Sequence, residues 1–203
     1  MRKPVEQGFS LIEVMVSMAV LTVGMVSLLG VFGLAMASTQ TSQENMIARQ
    51  LANEAYESIV TARNTTQIGW DDIQNSGSTS CPVTGASSCG IFSTGLQPMC
   101  MAPTSGTYAG ILGTTSAVSG SACVVSEQTL QDPGQDGIFQ TADDTFIPLT
   151  GYQRSIQISS VLDSSNNVVS TLRNINITVQ YATPQSEKTP KTYILSTYIS
   201  EFQ

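Results

Sequence analysis

Three groups of residues in this 203-residue chain have the types and spacings that do chemistry. The first is a lone carboxylate, Glu13, the one formal charge in the 29 residues from Phe9 to Ala37. A carboxylate at the centre of a membrane helix costs roughly 2.5–3.5 kcal/mol, so one kept there calls for a cation as its partner. The second is Asp132-Pro-Gly-Gln-Asp136-Gly137-Ile-Phe-Gln-Thr-Ala-Asp143-Asp144. With Asp132 as the first position of a twelve-residue calcium loop, Asp136 takes the fifth, the turn glycine Gly137 the sixth and Asp143 the twelfth. The third position is Gly134 and the twelfth is Asp instead of the longer, bidentate Glu. No amphipathic helices flank the run, which excludes an EF-hand. Two readings stand: a weak calcium site drawing on Asp132, Asp136, Asp143 and Asp144, or an acidic surface turn, for which Asp and Gly are ordinary residues.

The third group is Cys81, Cys89, Cys100 and Cys123. An even count in an oxidising compartment reads as two disulfides with three pairings open, and Cys81–Cys89 with Cys100–Cys123 closes the shortest loops. The chain has no histidine and no CxxC pair, which argues against zinc. The missing histidine also removes the commonest general base, so no serine can be nominated as a nucleophile and no enzyme is expected. A net charge of −7 argues against a broad nucleic-acid surface. A DNA-binding face would need Arg154, Arg173, Lys188 and Lys191 brought together.

The elements that carry these groups follow from periodicity. The apolar run is too long for a secretory core of about 7–15 residues, and as a helix it spans roughly 43 Å against a hydrocarbon layer of about 30 Å. It is expected to be a membrane helix. Arg2 and Lys3 precede it, which places the N-terminus in the cytoplasm and the bulk of the chain across the membrane. The helix is expected to continue from Ser38 to about Ala62, where Ile47, Leu51, Ala55 and Ile59 recur at i+4 beside Ala48, Ala52, Tyr56 and Val60. Gly69 and Trp70-Asp71-Asp72 mark a turn, and Trp70 and Tyr56 are assigned to packing. Residues 75–126 are rich in Gly, Ser and Thr and are braced by the cysteines, with short strands expected at Gly90–Phe92 and Ala122–Val125. Toward the C-terminus, Tyr152–Ile158, Ile175–Tyr181 and Thr192–Ser200 alternate as strands around a turn at Asp163–Asn167. The expected class is α+β: a long N-terminal helix, half membrane and half amphipathic, packed on a small antiparallel sheet.

The segment Arg2-Lys3-Pro4-Val5-Glu6-Gln7-Gly8, followed by Phe9-Ser10-Leu11-Ile12-Glu13-Val14, resembles the leader and cleavage junction of type IV pilins. The resemblance covers residues 1–62, and with Gln50-Leu-Ala-Asn-Glu-Ala-Tyr-Glu-Ser-Ile59 it is closest to the PilV group of minor pilins. It implies a leader over residues 1–8, an assembly half of the helix over 9–37, an amphipathic half over 38–62 and a head over 63–203. It implies cleavage between Gly8 and Phe9 by a prepilin peptidase, N-methylation of Phe9, and a register-setting pairing of Glu13 with the N-terminal amine of a neighbouring subunit. The implied partners are other pilin subunits, the peptidase and an inner-membrane assembly platform. The implied location is the inner membrane, then an extracellular pilus or a periplasmic pseudopilus. A minor pseudopilin of type II secretion shares these residues, and a filament-tip module binding DNA or a surface is the alternative of another class. Many major pilins carry a proline inside the apolar span; this chain has none, only Gly24, Gly30 and Gly33.

Overall fold

The computed structural model describes residues 10–76, 90–100, 110–112, 118–119, 122–123, 128–182 and 189–202. Helix α1 runs over Leu11–Asn64 without a proline or a break. Ser10 starts it, its carbonyl accepting the N–H groups of Glu13 and Val14 at 3.0 and 3.3 Å. The chain divides into two compact units at Gln43 and Glu44, so α1 contributes a stretch to each.

In the first unit every described residue from Ser10 to Met36 is exposed, and most of them are large and apolar. By length and composition this stretch suffices to cross a membrane. Gly24, Gly30 and Gly33 sit in open space within it.

The second unit is built around an antiparallel sheet. Its strands are β1 (Gln97–Pro98), β6 (Tyr152–Leu162), β7 (Val168–Tyr181) and β8 (Lys191–Ser200), in the order β1-β6-β7-β8. Two separate two-stranded pieces are β2 (Val118–Ser119) with β3 (Ala122–Cys123), and β4 (Thr129–Asp132) with β5 (Thr145–Pro148). Pairing aligns Ile156 with Ile177 and Ile177 with Leu195 across the large sheet. Because side chains alternate along a strand, this register puts one isoleucine-rich face on one side. That face meets the helix stripe Ala48, Leu51, Ala52, Ala55, Ile59 and Ala62, all buried in one cluster with Ile156, Ile175, Ile177 and Val179. Four of those six helix positions are alanine, which lets the helix backbone lie close to the sheet.

The expected α+β arrangement is therefore the one observed, with the helix ending at Asn64 and all three C-terminal strands in place. The turn at Asp163–Asn167 is held by the Asp163 carboxylate, which accepts N–H bonds from Ser165 and Asn167, each at 2.8 Å. The Trp70–Asp72 turn is a single 3₁₀ turn. Trp70 and Tyr56 both pack against the core.

One expectation needs correction. Gly90–Phe92 is not a strand: Phe92 makes one isolated parallel bridge to Asn75, and Gly90 has φ +88°. A Cβ at Gly90 would lie 2.4 Å from the carbonyl oxygen of Asn75, so this crossing of two backbones requires glycine. Of the expected strand Ala122–Val125, Ala122–Cys123 is a strand paired antiparallel with Val118–Ser119, and residues 124–125 lie outside the described residues. The β4–β5 hairpin was not expected. Thr145-Phe-Ile-Pro148 and Leu130 were its available β signal, masked by the Asp and Gly residues between them.

Candidate functional site

Gly8 and Phe9 lie outside the described residues. Glu13 occupies the first turn of α1, exposed, among exposed apolar side chains. Its backbone carbonyl accepts a bond from Ser17 Oγ at 2.7 Å.

The Asp-rich run forms the connection between β4 and β5. Asp143 Oδ2 accepts N–H bonds from Gln135 at 2.9 Å and Asp136 at 3.4 Å, and its Oδ1 accepts the Thr141 hydroxyl at 2.8 Å. Asp144 Oδ2 accepts N–H bonds from Gln140 at 2.6 Å and Thr141 at 3.2 Å, and a bond from Gln131 Nε2. Asp136 Oδ1 accepts the N–H of Ile138 at 2.8 Å. The Thr141 hydroxyl, ahead of the Gln135 and Asp136 N–H groups, holds the Asp143 carboxyl below the usual carboxylate range against a smaller opposing effect of desolvation. For Asp144 desolvation pulls upward, but the bonds from Gln140, Gln131 and Thr141 together outweigh it and the net direction is down.

Gly134, with φ +69°, lies so close to Asp143 that a Cβ there would be 2.5 Å from Oδ2. The glycine at the third loop position is thus a steric requirement of the loop, not a missing ligand. Among the described residues no three acidic or sulfur side chains converge as a metal-binding group. The side chain of Asp132 lies outside the described set.

Cys100 is disulfide-bonded. Cys81, Cys89 and the side chain of Cys123 lie outside the described residues.

Two of the four cations weighed for a DNA face point elsewhere, while Lys191 is exposed. Arg154 is buried, and its Nη1 donates to the carbonyl of Leu51 on α1 at 3.2 Å. Burial pushes its guanidinium down to about 10, with Glu54 pulling the other way, so it stays charged at neutral pH. Arg173 stacks over the Trp70 ring at 4.3 Å and donates to the carbonyls of Trp70 and Ile73. Lys188 lies outside the described residues. Both described arginines of the set thus bind the sheet to its neighbours instead of facing solvent as a patch. Sequence reasoning missed the role of Glu44. One of its oxygens, Oε2, is buried without a hydrogen-bond partner, and desolvation raises its carboxyl despite Lys191 nearby.

Comparison with known proteins bears on the N-terminal segment. Residues 3–29 match the family model of the prokaryotic N-terminal methylation motif. No curated protein and no solved structure matches the chain. The matched segment contains Gly8, Phe9 and Glu13 and runs into the exposed apolar stretch of α1, and the helix-on-sheet architecture is consistent with the α+β type IV pilin fold. The motif supports reading the chain as a type IV pilin-like prepilin.

Proposed function

We propose that this chain is a structural subunit of a type IV pilus, of the minor, PilV-like class, cut after Gly8, methylated on Phe9 and assembled through the apolar part of α1. The observation that carries the reading is the methylation motif over residues 3–29, coincident with a helix whose apolar surface is bare from Ser10 to Met36. An uncovered apolar stretch of that length is stable in lipid or against other such helices, and a pilin helix passes from the first to the second. Glu13 then finds its cation in the amine that the cut creates on a neighbouring subunit. Such a buried pair fixes register more than it adds stability. The head lies across the inner membrane, where disulfides form. Calcium at residues 132–144 and the pairings Cys81–Cys89 and Cys100–Cys123 belong to the same proposal.

Co-expression with a prepilin peptidase tests it. Mass spectrometry should find the chain shorter by the first eight residues, those ending at Gly8, with a methyl group on Phe9. A chain left uncut would overturn the reading. Glu13→Ala should leave membrane insertion intact and reduce incorporation into filaments. Recovery of the chain in sheared pili separates a pilus subunit from a secretion pseudopilin, whose loss impairs protein export without altering pili.

A further inference from the structure

The connection between β4 and β5 holds the one Asp-Gly pair in the chain, Asp136-Gly137, and the chain has no Asn-Gly pair. An aspartate before glycine is chemically distinct, because no Cβ shields the glycine nitrogen from the neighbouring carboxyl. Asp136 and Gly137 are both exposed and both lie in a turn. Asp136 Oδ1 accepts the N–H of Ile138, two residues on, at 2.8 Å. That bond folds the side chain back along its own main chain and closes a ring that contains the Gly137 nitrogen. Cγ is thereby held beside that nitrogen, and holding two reacting atoms together is a large part of lowering a barrier. Among the described residues the Asp136 carboxyl accepts no second bond, and the Gly137 N–H donates to no group. A Cβ built on Gly137, where φ is +69°, would meet nothing within 4 Å, so no neighbouring atom bars the approach.

Other aspartates of the head are more restrained. Asp143 and Asp144 each accept bonds from two backbone N–H groups and from the Thr141 hydroxyl. Asp163 gives the sharper comparison. It folds back in the same way, onto the Ser165 N–H at 2.8 Å, but Asn167 donates two further bonds to its carboxyl. The nitrogen inside its ring belongs to Ser164, which carries a Cβ.

We propose that Asp136-Gly137 is a site of spontaneous covalent modification, at which the main chain isomerises to isoaspartate. The Gly137 nitrogen attacks Cγ of Asp136 and a new C–N bond forms. The carboxyl hydroxyl leaves as water, taking the amide hydrogen with it, and a cyclic imide remains. Water then adds at the Asp136 backbone carbonyl and the bond from that carbon to nitrogen breaks. The hydroxyl of that water stays on the carbon and its hydrogen goes to nitrogen. One water is released and one consumed, so mass is unchanged and no other reactant is needed. The main chain now runs through Cβ and Cγ, longer by one methylene, and position 136 carries a free α-carboxylate. The bond to the Ile138 N–H is lost. Gln135 still donates to Asp143 on the near side, so the displacement falls on Ile138 and Phe139, 61% and 59% exposed. The inference rests neither on the prepilin reading nor on calcium.

The test incubates the folded full-length chain in detergent, with chelator and at mildly acidic pH, while circular dichroism follows the fold. Isoaspartate is read by isoaspartyl methyltransferase, which moves a methyl group from S-adenosylmethionine to the new α-carboxylate, and is located by electron-transfer fragmentation of peptides. It should accumulate at position 136 without a change of mass, while position 163 stays at its starting level. Gly137→Asn keeps a residue that tolerates the left-handed turn but adds a Cβ, and should lower the yield at least roughly tenfold. Asp136→Glu, whose longer side chain closes a larger ring, should give no product, which keeps the test decisive if Gly137→Asn loosens the loop. No isoaspartate at position 136 while the fold persists, equal accumulation at position 163, or a yield indifferent to Gly137→Asn would overturn the proposal.

Discussion

Ile59→Ala isolates what the amphipathic half of α1 does. Ile59 is fully buried, in the middle of the stripe that meets Ile156, Ile175 and Ile177. The substitution removes three carbons, worth about 0.8 kcal/mol each in transfer from water. A residual cavity of roughly 60 Å³ adds about 1.5 kcal/mol at about 24 cal/mol per Å³. The sum is about 4 kcal/mol, within the usual range for a buried Ile→Ala change. For a unit of this size each kcal/mol moves the midpoint by roughly 2–4 °C, so melting should fall by about 8–16 °C. Circular dichroism of the full-length chain in detergent measures it, following the sheet signal. Leu29→Ala is the internal comparison, on the same helix but 70% exposed. It should leave the melting temperature unchanged and reduce assembly into filaments. A fall of less than about 2 °C for Ile59→Ala, or an equal fall for Leu29→Ala, would refute the division of one helix between a core and a bare apolar surface.

Other consequences can be checked separately. Asp143, Asp144 and Asp163 have carboxyls held below the ordinary range, so the bonds they accept stabilise their loops above that range and are lost as pH falls through the lowered values. Protection factors of the Gln135, Gln140 and Asn167 amides, relative to intrinsic exchange at each pH, should fall in acid before those of the central strands, and protection unchanged down to about pH 2 would contradict this. The sign reverses for Glu44, whose raised carboxyl makes the folded head lose stability as pH rises through that value. Glu44→Gln should therefore raise the melting temperature at pH 7 and not at pH 4. Arg173→Ala removes the stack on Trp70 and two carbonyl bonds, costing about 2 kcal/mol. Trp70 is the one tryptophan in the chain, so its emission should shift as that wall of the core loosens. For the Asp loop, chelator should leave the Gln135 and Gln140 amides protected, because backbone N–H groups already engage Asp143 and Asp144. A rise in melting temperature at millimolar calcium would identify a cation site added to that framework, and no shift would retire it.

The helix and the three long strands were legible because their apolar periods are unbroken: i+4 from Ile47 to Ile59, and alternation through Ile175, Ile177, Val179 and Tyr181. The methylation motif over residues 3–29 was legible because its residues are contiguous. Less could be read where geometry depends on partners distant in sequence. Asn75 looks like a turn residue, yet its amide serves Ile156 and Ile158 on β6. Arg154 and Arg173 look like candidate surface cations, and only the fold shows them directed at the Leu51, Trp70 and Ile73 carbonyls. Gly134 looked like a defect in a calcium pattern until the Asp143 carboxylate was found packed against it. Glu44 gave no signal, since a carboxylate on an amphipathic helix is ordinarily on the wet side.

The order in which the chain is made sets a problem for the amphipathic stripe. Part of its cover comes from residues 152–200, which are synthesised long after it, and Arg63 reaches the Ser200 carbonyl across a separation of 137 residues. Until those strands arrive, Leu51, Ala55 and Ile59 have only the part of their cluster that comes from residues 68–149. Contacts of such long sequence separation form slowly, and the exposed intermediate is prone to aggregate. The head therefore has a vulnerable interval built into its topology, between emergence of the stripe and closure of the final strand, and a truncation as short as β8 would leave the stripe only partly covered.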